Sequence, residues 1–421
     1  MENNLEKIIF HVDVNSAYLS WEAVNRLQHG TLEDLRTIPS AVGGDPKSRH
    51  GIILAKSIPA KKFGIKTGET LYAALKKCPS LRIVPPHYDL YIKCSTAMVN
   101  ILKEYSPMVQ RYSIDECFLD FTNLEKVFRK PVLDVAYEIK NRIKKELGFT
   151  VNIGISSNKL LAKMASDFKK PDNVHTLFKN EIPDKMWPLP VEELFMVGRA
   201  TGPKLRKYNI NTIGDLANYD VDLLKNKFKS FGLLLWKYAN GIDDSFVRKS
   251  NYIEMKGLGN STTIAFDVTD CRTAHMVILS LTETLGMRLR DSKNLCSLVS
   301  ISIRNSEFQH YSHQKKLSYY TNSTKRIYSV AKELFDNVWR GEPIRHIGIR
   351  VSSLNTEQQV QVSFFDEVDV KKNIALDKAI DNIRLKYGKK AVVRSSFLHS
   401  GIKPINGGVQ EEDYPIMSSI L

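Results

Sequence analysis

The sequence predicts an α+β protein of several domains. Three observations carry that prediction. The chain has 421 residues, more than one ordinary core organises, so two to four domains are expected. Its first 170 residues or so read strand, helix, strand or hairpin, helix, strand, the order of a split βαβ or ferredoxin-like unit. A short-turned helical stretch and a second strand-rich stretch with two helical patterns follow.

Residues 7–15, KIIFHVDVN, alternate. Ile8, Phe10, Val12 and Val14 fall on one face and Ile9, His11 and Asp13 on the other, which is a strand pattern. The strand runs into NSAYLSWEAVNRL, where Asn15 or Ser16 is placed to cap a helix. Residues 36–87 are rich in Gly, Pro and Lys and interrupt the unit as an inserted subdomain. A helical pattern covers 90–105. YSIDECFLD at 112–120 forms a second strand or hairpin, 132–147 is helical, and TVNIGISS at 150–157 is a third strand. The amphipathic pattern over 158–168 stops at Lys170-Pro171.

From Trp187 to about Ile242 the pattern is helical with short turns, and MVGRATGPKLRKYNINTIGDL at 196–216 reads as helix, Gly-turn, basic helix. Residues 243–256 lose periodicity and read as a linker. Beyond them 250–353 is rich in strands and hydroxyls and carries more Lys and Arg than acids. Helical patterns at 274–290 and 324–339 make it a second α+β unit. From about Leu398 the chain is Gly, Pro and polar and reads as disordered.

Lys and Arg number 61 against 46 Asp and Glu, a formal net charge of +15. That excess points to a polyanionic partner, nucleic acid ahead of an acidic membrane surface. The five cysteines are scattered and form no CxxC pair. A disulfide framework or thiolate zinc site is not expected, and a reducing, cytoplasmic setting is. Neither a leader pattern nor an 18-residue apolar run occurs, so no membrane association is expected. His310 and His313 have HxxH spacing without nearby acids and read as a wet loop.

YSIDECFLD poses a physical problem. Ile114, Phe118 and Leu119 favour burial, whereas Asp115 and Glu116 resist it unless positive charge stands opposite. Asp13 ends another strand. Adjacent strand residues point to opposite faces, so Asp115 and Glu116 share a target only where the backbone turns or past the strand end. Two divalent ions fit those terms. Mg²⁺ takes one or two protein carboxylates and fills its shell with water and phosphate oxygens. A metal pair clamps both oxygens of an in-line phosphoryl displacement. The turn at 14–18 supplies backbone N–H groups at a helix start, which suits a triphosphate.

HVDVNSAYLSWE, IPAKKFGIKTGE, YSIDECFLD, GISSNKLLAKMASDFKKP and ANGID together resemble the Y-family, lesion-bypass DNA polymerases, and the bacterial members most. The likeness covers about 7–353. It implies a right-hand polymerase: a ferredoxin-like palm at 1–20 and 88–180, small fingers at 21–87 and a helical thumb with a helix-hairpin-helix at 181–242. A linker at 243–253, an α+β little finger at 254–355 and a C-terminal tail at 356–421 follow. It implies two Mg²⁺ held by Asp13, Asp115 and Glu116 and by the backbone carbonyl of Val14. Tyr18 falls at the steric-gate position that excludes ribonucleotides. Lys61 and Lys170 would meet the dNTP, and Gly51, Ile52 and Leu54 would form the roof over the templating base.

By the same resemblance, Gly198, Lys204 and Lys207 would grip phosphate without reading sequence. Lys315, Lys316, Lys325 and Arg326 would add salt-dependent DNA contacts. QVSFF at 361–365 resembles the short motif by which bacterial polymerases bind the DNA sliding clamp, through Gln361, Phe364 and Phe365. Two departures stand out. Ile58-Pro59-Ala60-Lys61 replaces the family's Tyr-x-Ala-Arg, so a phosphate donor is missing and Lys61 lacks the planar fork of Arg. The triphosphate grip is then weaker or assembled differently. Met196-Val197-Gly198 replaces the Gly-hydrophobic-Gly hairpin of the thumb.

The leading reading is a monomeric, template-directed DNA polymerase that adds dNTPs to a primer 3′-OH on primer–template DNA, with low fidelity and lesion tolerance implied by the resemblance. No segment reads as a proofreading nuclease. A non-catalytic, clamp- and DNA-bound accessory protein is the alternative, and another palm-type enzyme such as a nucleotide cyclase is a third reading that leaves the basic C-terminal half unexplained.

Overall fold

A computed structural model describes residues 7–44, 51–249, 255–356 and 369–405. The chain divides into two compact units, one holding nearly everything described up to 249 and the other 255–405.

In the first unit the chain runs β1 (Ile9–Val14), α1 (Ala17–Gln28), β2 (Ser40–Gly43), β3 (Ile53–Lys56), α2 (Ile58–Lys62), α3 (Leu71–Lys77) and β4 (Arg82–Val84). It continues through α4 (Tyr88–Tyr105), β5 (Val109–Arg111), β6 (Glu116–Asp120), α5 (Glu125–Phe128), α6 (Val132–Leu147), β7 (Val151–Ser156), α7 (Lys159–Asp167) and β8 (Val174–Thr176). The last four helices of the unit are α8 (Ile182–Lys185), α9 (Gly202–Arg206), α10 (Ile213–Ala217) and α11 (Val221–Ala239).

The central sheet has the order β5-β6-β1-β7-β8. Because β1 lies in its middle, all six of its residues are buried. The alternation read from the sequence therefore separates two covered faces rather than a wet face from a dry one. Phe10, Val12 and Val14 join the core with Tyr91, Met98, Ile139 and Ile143 of α4 and α6. Ile9 packs instead with Phe118, Ala162 and Val247. Gly154 on β7 lets α7 sit this close: a Cβ there would stand 2.0 Å from the Ala162 carbonyl oxygen and 2.4 Å from the Ser166 nitrogen. Asn158 caps α7 by accepting from the Leu161 N–H at 2.8 Å.

The inserted stretch folds as a three-stranded sheet, β3-β2-β4, packed with α2 and α3. Ser57 caps α2 and Thr70 caps α3 through their side-chain oxygens. The helices from α8 to α11 share a separate core with Leu160, Leu161 and Met164 of α7.

Residues 243–249, expected as the start of a linker, form no helix or strand but are packed against the first unit. Val247 is buried against β1 and β6, Asp243 accepts from the Leu160 N–H at 3.1 Å, and the Arg248 N–H donates to Gln110 at 3.2 Å. Apolar and capping contacts that no local periodicity announces hold this segment on the sheet.

The second unit contains β9 (Gly257–Val268), α12 (Cys271–Asp291), β10 (Asn294–Asn305), β11 (His310–Thr321), α13 (Thr324–Val338), β12 (Ile344–Thr356) and α14 (Asp369–Tyr387). Its sheet has the order β11-β10-β12-β9, every pair antiparallel. His310 and His313 lie on β11 rather than in a loop, because alternation with Tyr311 pairs that segment with β10. Among the described residues no three His, Cys, Asp or Glu form a metal cluster.

The expectation of disorder from about Leu398 is corrected for 398–405, the part of it that lies within the described residues. Phe397 and Ile402 are buried in the core of this unit, and the Ser280 hydroxyl donates to the Lys403 carbonyl at 2.6 Å. α14 is an unexpected element because it buries charge instead of an apolar stripe. Arg384 pairs with Glu283 at 2.7 Å, Arg290 pairs with Asp381 at 2.5 Å, and Asp377 accepts from the Thr324 N–H at 2.8 Å. Among the described residues no helix is long and apolar enough to cross a membrane.

Candidate active site

β1 and β6 pair antiparallel with Asp13 directly opposite Glu116. Asp115 lies just before β6, where the backbone turns: the N–H groups of Tyr112 and Ser113 both donate to the Glu116 carbonyl, at 2.8 and 3.1 Å. The Val14 N–H donates to the Asp115 carbonyl at 3.0 Å. The turn that the two acids required is present, and it brings Asp115 beside the end of β1.

A cavity of about 590 Å³ opens there. Its wall includes Asp13, Val14, Asn15, Ser16, Ala17 and Tyr18 from the β1–α1 turn. Leu54, Lys56, Ile58 and Lys61 come from the inserted subdomain, Asp115 from the turn before β6, and Lys170 from the segment after α7. Four stretches distant in sequence meet in one place. Of the predicted roof, Leu54 lines this wall, while Ile52 is exposed and bridges to Thr70.

The β1–α1 turn differs in detail from a capped start. Ser16 occupies the cap position in the left-handed region, φ 49°, and its side chain caps nothing. Asn15 is committed elsewhere: its amide donates to Asn152 at 3.1 Å, and its oxygen accepts from Thr150 at 2.9 Å and from the Asp172 N–H at 2.9 Å. These bonds lock the turn to β7 and to the segment that carries Lys170.

The three carboxylates have different surroundings. Asp13 is buried and accepts from the Lys170 ammonium, which also pairs with Asp167 at 2.7 Å. Burial pushes the Asp13 carboxyl up, and the Lys170 charge offsets that only in part. Asp115 is pushed up by burial as well; its nearest aid is the Ser113 hydroxyl, which donates at 2.5 Å. Glu116 is not part of the cavity lining, but as the cross-strand partner of Asp13 it lies on the same face of the sheet. Its Oε2 accepts from Lys163 Nζ at 2.5 Å and lies 3.2 Å from His11 Nε2. Burial alone would raise the Glu116 carboxyl, yet His11 and Lys163 hold it down at about 2.

His11 is fully buried, and burial lowers its pKa while the Glu116 carboxylate acts against that shift. The ring's Nε2 faces the Glu116 carboxylate and its Nδ1 lies 2.7 Å from the Ser166 hydroxyl, which itself donates to the Lys163 carbonyl at 2.8 Å. His11 and Lys163 were not singled out from the sequence. The signal for His11 was its place on the same strand face as Asp13; Lys163 had none beyond being a lysine on an amphipathic helix.

This donor set fits hard cations. Two buried carboxylates, Asp13 and Asp115, line one cavity and remain short of positive charge, which is the environment that oxygen-preferring divalent ions complete.

Tyr18 is half-buried on the cavity wall and stacks on Tyr91, with ring centroids 4.5 Å apart and planes 10° apart. The Tyr91 hydroxyl donates to the buried Glu22 at 2.7 Å, and His87 Nδ1 is 2.8 Å from the same carboxylate oxygen. The ring at the cavity is thus backed by an anchored ring behind it.

The remaining predicted residues lie elsewhere. Gly198, Lys204 and Lys207 are exposed beside and along α9, and a Cβ at Gly198 would meet nothing within 4 Å. Met196, at the place of the family's first hairpin glycine, sits in the left-handed region with φ 76°, so the backbone keeps the glycine-like turn without the glycine. In the second unit Lys315 and Lys316 are exposed on β11, with Lys315 paired to Glu333 at 2.5 Å. Lys325 and Arg326 are exposed on the first turn of α13, and Arg326 lies over Tyr319. Gln361, Phe364 and Phe365 lie outside the described residues.

Comparison with known proteins gives a consistent result. The impB/mucB/samB family model matches residues 12–167, its C-terminal domain matches 255–364, and the IMS family HHH motif matches 179–210. A protein of Clostridium acetobutylicum named DNA polymerase IV is 52% identical over 394 residues, covering 94% of this chain and 99% of the relative. One of Clostridium kluyveri with the same name is 37% identical over 403 residues, covering 94% and 99%. Among solved structures, a Y-family DNA polymerase chimera superposes with a TM-score of 0.69 at 22% identity, over 83% of this chain and 100% of the other.

Proposed function

The chain belongs to the impB/mucB/samB family, the Y-family DNA polymerases, and is a DNA-directed DNA polymerase; we propose that it extends primers past template lesions by two-metal catalysis in the cavity beside β1. The observation that carries this reading is the meeting of Asp13, Asp115, Tyr18, Lys61 and Lys170 around one cavity. A primer 3′-OH, a nucleoside triphosphate and the charge between them all have counterparts there.

Asp13, Asp115, Glu116 and the Val14 carbonyl would hold the metals. Magnesium bound there supplies positive charge to the attacking and leaving oxygens and makes the primer hydroxyl easier to deprotonate. The residues do the rest. Tyr18, backed by Tyr91, closes the space a ribose 2′-OH needs. Lys61 and Lys170 take phosphate oxygens, and Lys170 exchanges its present carboxylates for phosphate as substrate arrives. His11 and Lys163 keep Glu116 ionised and fixed in direction.

The wider reading assigns the palm to 1–20 and 88–180, the fingers to 21–87, the thumb to 181–242 and the little finger to 254–355. Gly198, Lys204, Lys207, Lys315, Lys316, Lys325 and Arg326 would grip the DNA backbone. Tethering to a sliding clamp through Gln361, Phe364 and Phe365 raises the local concentration at primer ends. The reaction has no proofreading step.

Primer extension across an abasic site with Mg²⁺, wild type beside Glu116→Ala, tests the core of this reading. Bypass by the wild type alone is expected; equal extension by both would refute the site. Clamp pull-down with Phe364 and Phe365 both changed to Ala should fail while short primers are still extended, and retained clamp binding would remove the tether.

A further inference from the structure

The fingers side of the cavity carries a lysine that neither the sequence reading nor the family motif assigned. Lys56 ends β3 and lines the cavity together with Lys61, Tyr18, Asp13, Asp115 and Lys170. Its ammonium donates to the Thr67 hydroxyl at 3.0 Å, and among the described residues no carboxylate pairs with it. Glu69, the acid whose field it feels, is engaged elsewhere: one oxygen accepts from Lys77 at 2.5 Å and the other from the Lys66 N–H at 3.0 Å. Burial, and then repulsion from Lys61, lowers the Lys56 pKa.

Lys170 is the contrast. It faces the same cavity but is met by Asp13 and Asp167. Lys56 and Lys61 are two cations that repel each other, and among the described residues neither is in an ion pair. Partial desolvation without a counter-charge is costly for an ammonium, so the pair suits a polyanion. Ile58, two residues on, lines the same wall with a side chain that donates nothing, and Lys61 has no planar fork. The missing phosphate donors and the unanswered charge lie on one short stretch.

We propose that Lys56 is a phosphate-binding residue of this site, which with Lys61 holds the triphosphate of the incoming nucleotide in place of the donors that Ile58 and Lys61 do not supply. The assignment rests on the polymerase reading of the cavity. It explains how a fingers motif lacking both its aromatic hydroxyl and its guanidinium keeps a triphosphate grip: the donor moves from the start of α2 to the end of β3. Residue 56 then contributes a point charge with three donors, without the directional fork that Arg offers.

Steady-state extension and direct binding of inorganic tripolyphosphate, each with Mg²⁺, test this on the full chain. Lys56→Ala and Lys56→Gln should raise the dNTP KM about tenfold, the loss expected of one charge-assisted hydrogen bond, with kcat within about twofold, the pattern of lost ground-state binding. Tripolyphosphate binding should weaken by a similar factor, and Lys56→Arg should restore both. Thr67→Val removes the hydroxyl but keeps the charge, so it should behave like wild type. Unchanged KM and unchanged tripolyphosphate binding in Lys56→Gln would overturn the proposal, as would a Thr67→Val variant that reproduced the whole loss. Wild type that failed to extend primers would sink the polymerase reading alone, because the tripolyphosphate measurement still decides the role of Lys56.

Discussion

Asp13 on β1 and Glu116 on β6 face each other across an antiparallel pair, yet their carboxylates answer to different lysines. Asp13 accepts from Lys170 at the cavity, and Glu116 accepts from Lys163 at 2.5 Å on the α7 side. The separation limits repulsion between two buried charges and leaves each with one cation. Losing Glu116 removes the acid that Lys163 pairs with, whereas Lys170 keeps Asp167 when Asp13 is lost.

Asp115→Ala and Glu116→Ala should each abolish primer extension while DNA binding, measured by fluorescence anisotropy, changes little. The acids are proposed to serve the phosphoryl transfer and not the DNA grip. A variant that still extends primers at the wild-type rate would remove its acid from the mechanism.

His11→Ala should slow extension by about 10–100-fold, the usual cost of losing a partner that orients a metal ligand. His11 touches Glu116 without lining the cavity, so its effect should appear in kcat and in the Mg²⁺ concentration for half activity, with dNTP KM little changed. An unaltered Mg²⁺ requirement would argue that His11 only fills space.

Tyr18→Ala should admit ribonucleotides. The ring is stacked on Tyr91, which is pinned to Glu22, so it has little freedom to yield to a 2′-OH. The ratio of deoxy- to ribonucleotide kcat/KM should fall about 100-fold, a steric discrimination of a few kcal/mol. Unchanged sugar selection would remove the gate.

Arg384→Met should destabilise the second unit by about 3 kcal/mol, because it leaves Glu283, only 4% exposed, with Arg394 as its remaining cation. Urea unfolding of the full chain provides the measurement. A change under about 0.5 kcal/mol would show that α14 docks without this pair.

Asp172 gives a pH test. Burial alone would raise its carboxyl, but Lys140 at 2.8 Å and Lys144 at 2.7 Å bring it below the ordinary value. Its folded pKa therefore lies under the unfolded one, about 3.9. The stability it contributes is complete above that value and disappears as pH falls through the folded pKa. Asp172→Asn should cost about 1 kcal/mol at pH 7, and the difference from wild type should vanish in acid. A gap of equal size at both pH values would assign the effect to packing.

Much of this was legible along the chain. The alternation of 7–15, the helical periods of 132–147 and 158–168, and the helices near 274–290 and 324–339 are local properties of neighbouring side chains, and they reappear as β1, α6, α7, α12 and α13. The two acids of the 112–120 stretch announced a turn because apolar neighbours and paired charges have incompatible demands on one strand. What failed to show was what depends on partners far away. α14 buries Asp377 and Arg384, so its pattern inverts the amphipathic rule, and only Glu283, Arg290 and the start of α13 make that favourable. Residues 243–249 look unstructured until β1 and β6 give Val247 a place to pack.

The sequence by itself determined the strand and helix periods and the conflicting demands of the two acids at 112–120, since residue type and local spacing set these, while the family resemblance implied the grouping of Tyr18, Lys61 and Lys170 with the acids. Only the tertiary structure decided where each charge is answered. Ion pairing acts through space at a few ångströms, and the packing of α7 and the segment after it beside β1 and β6 brings Lys170 to Asp13 and Lys163 to Glu116, while among the described residues Lys56 meets no carboxylate.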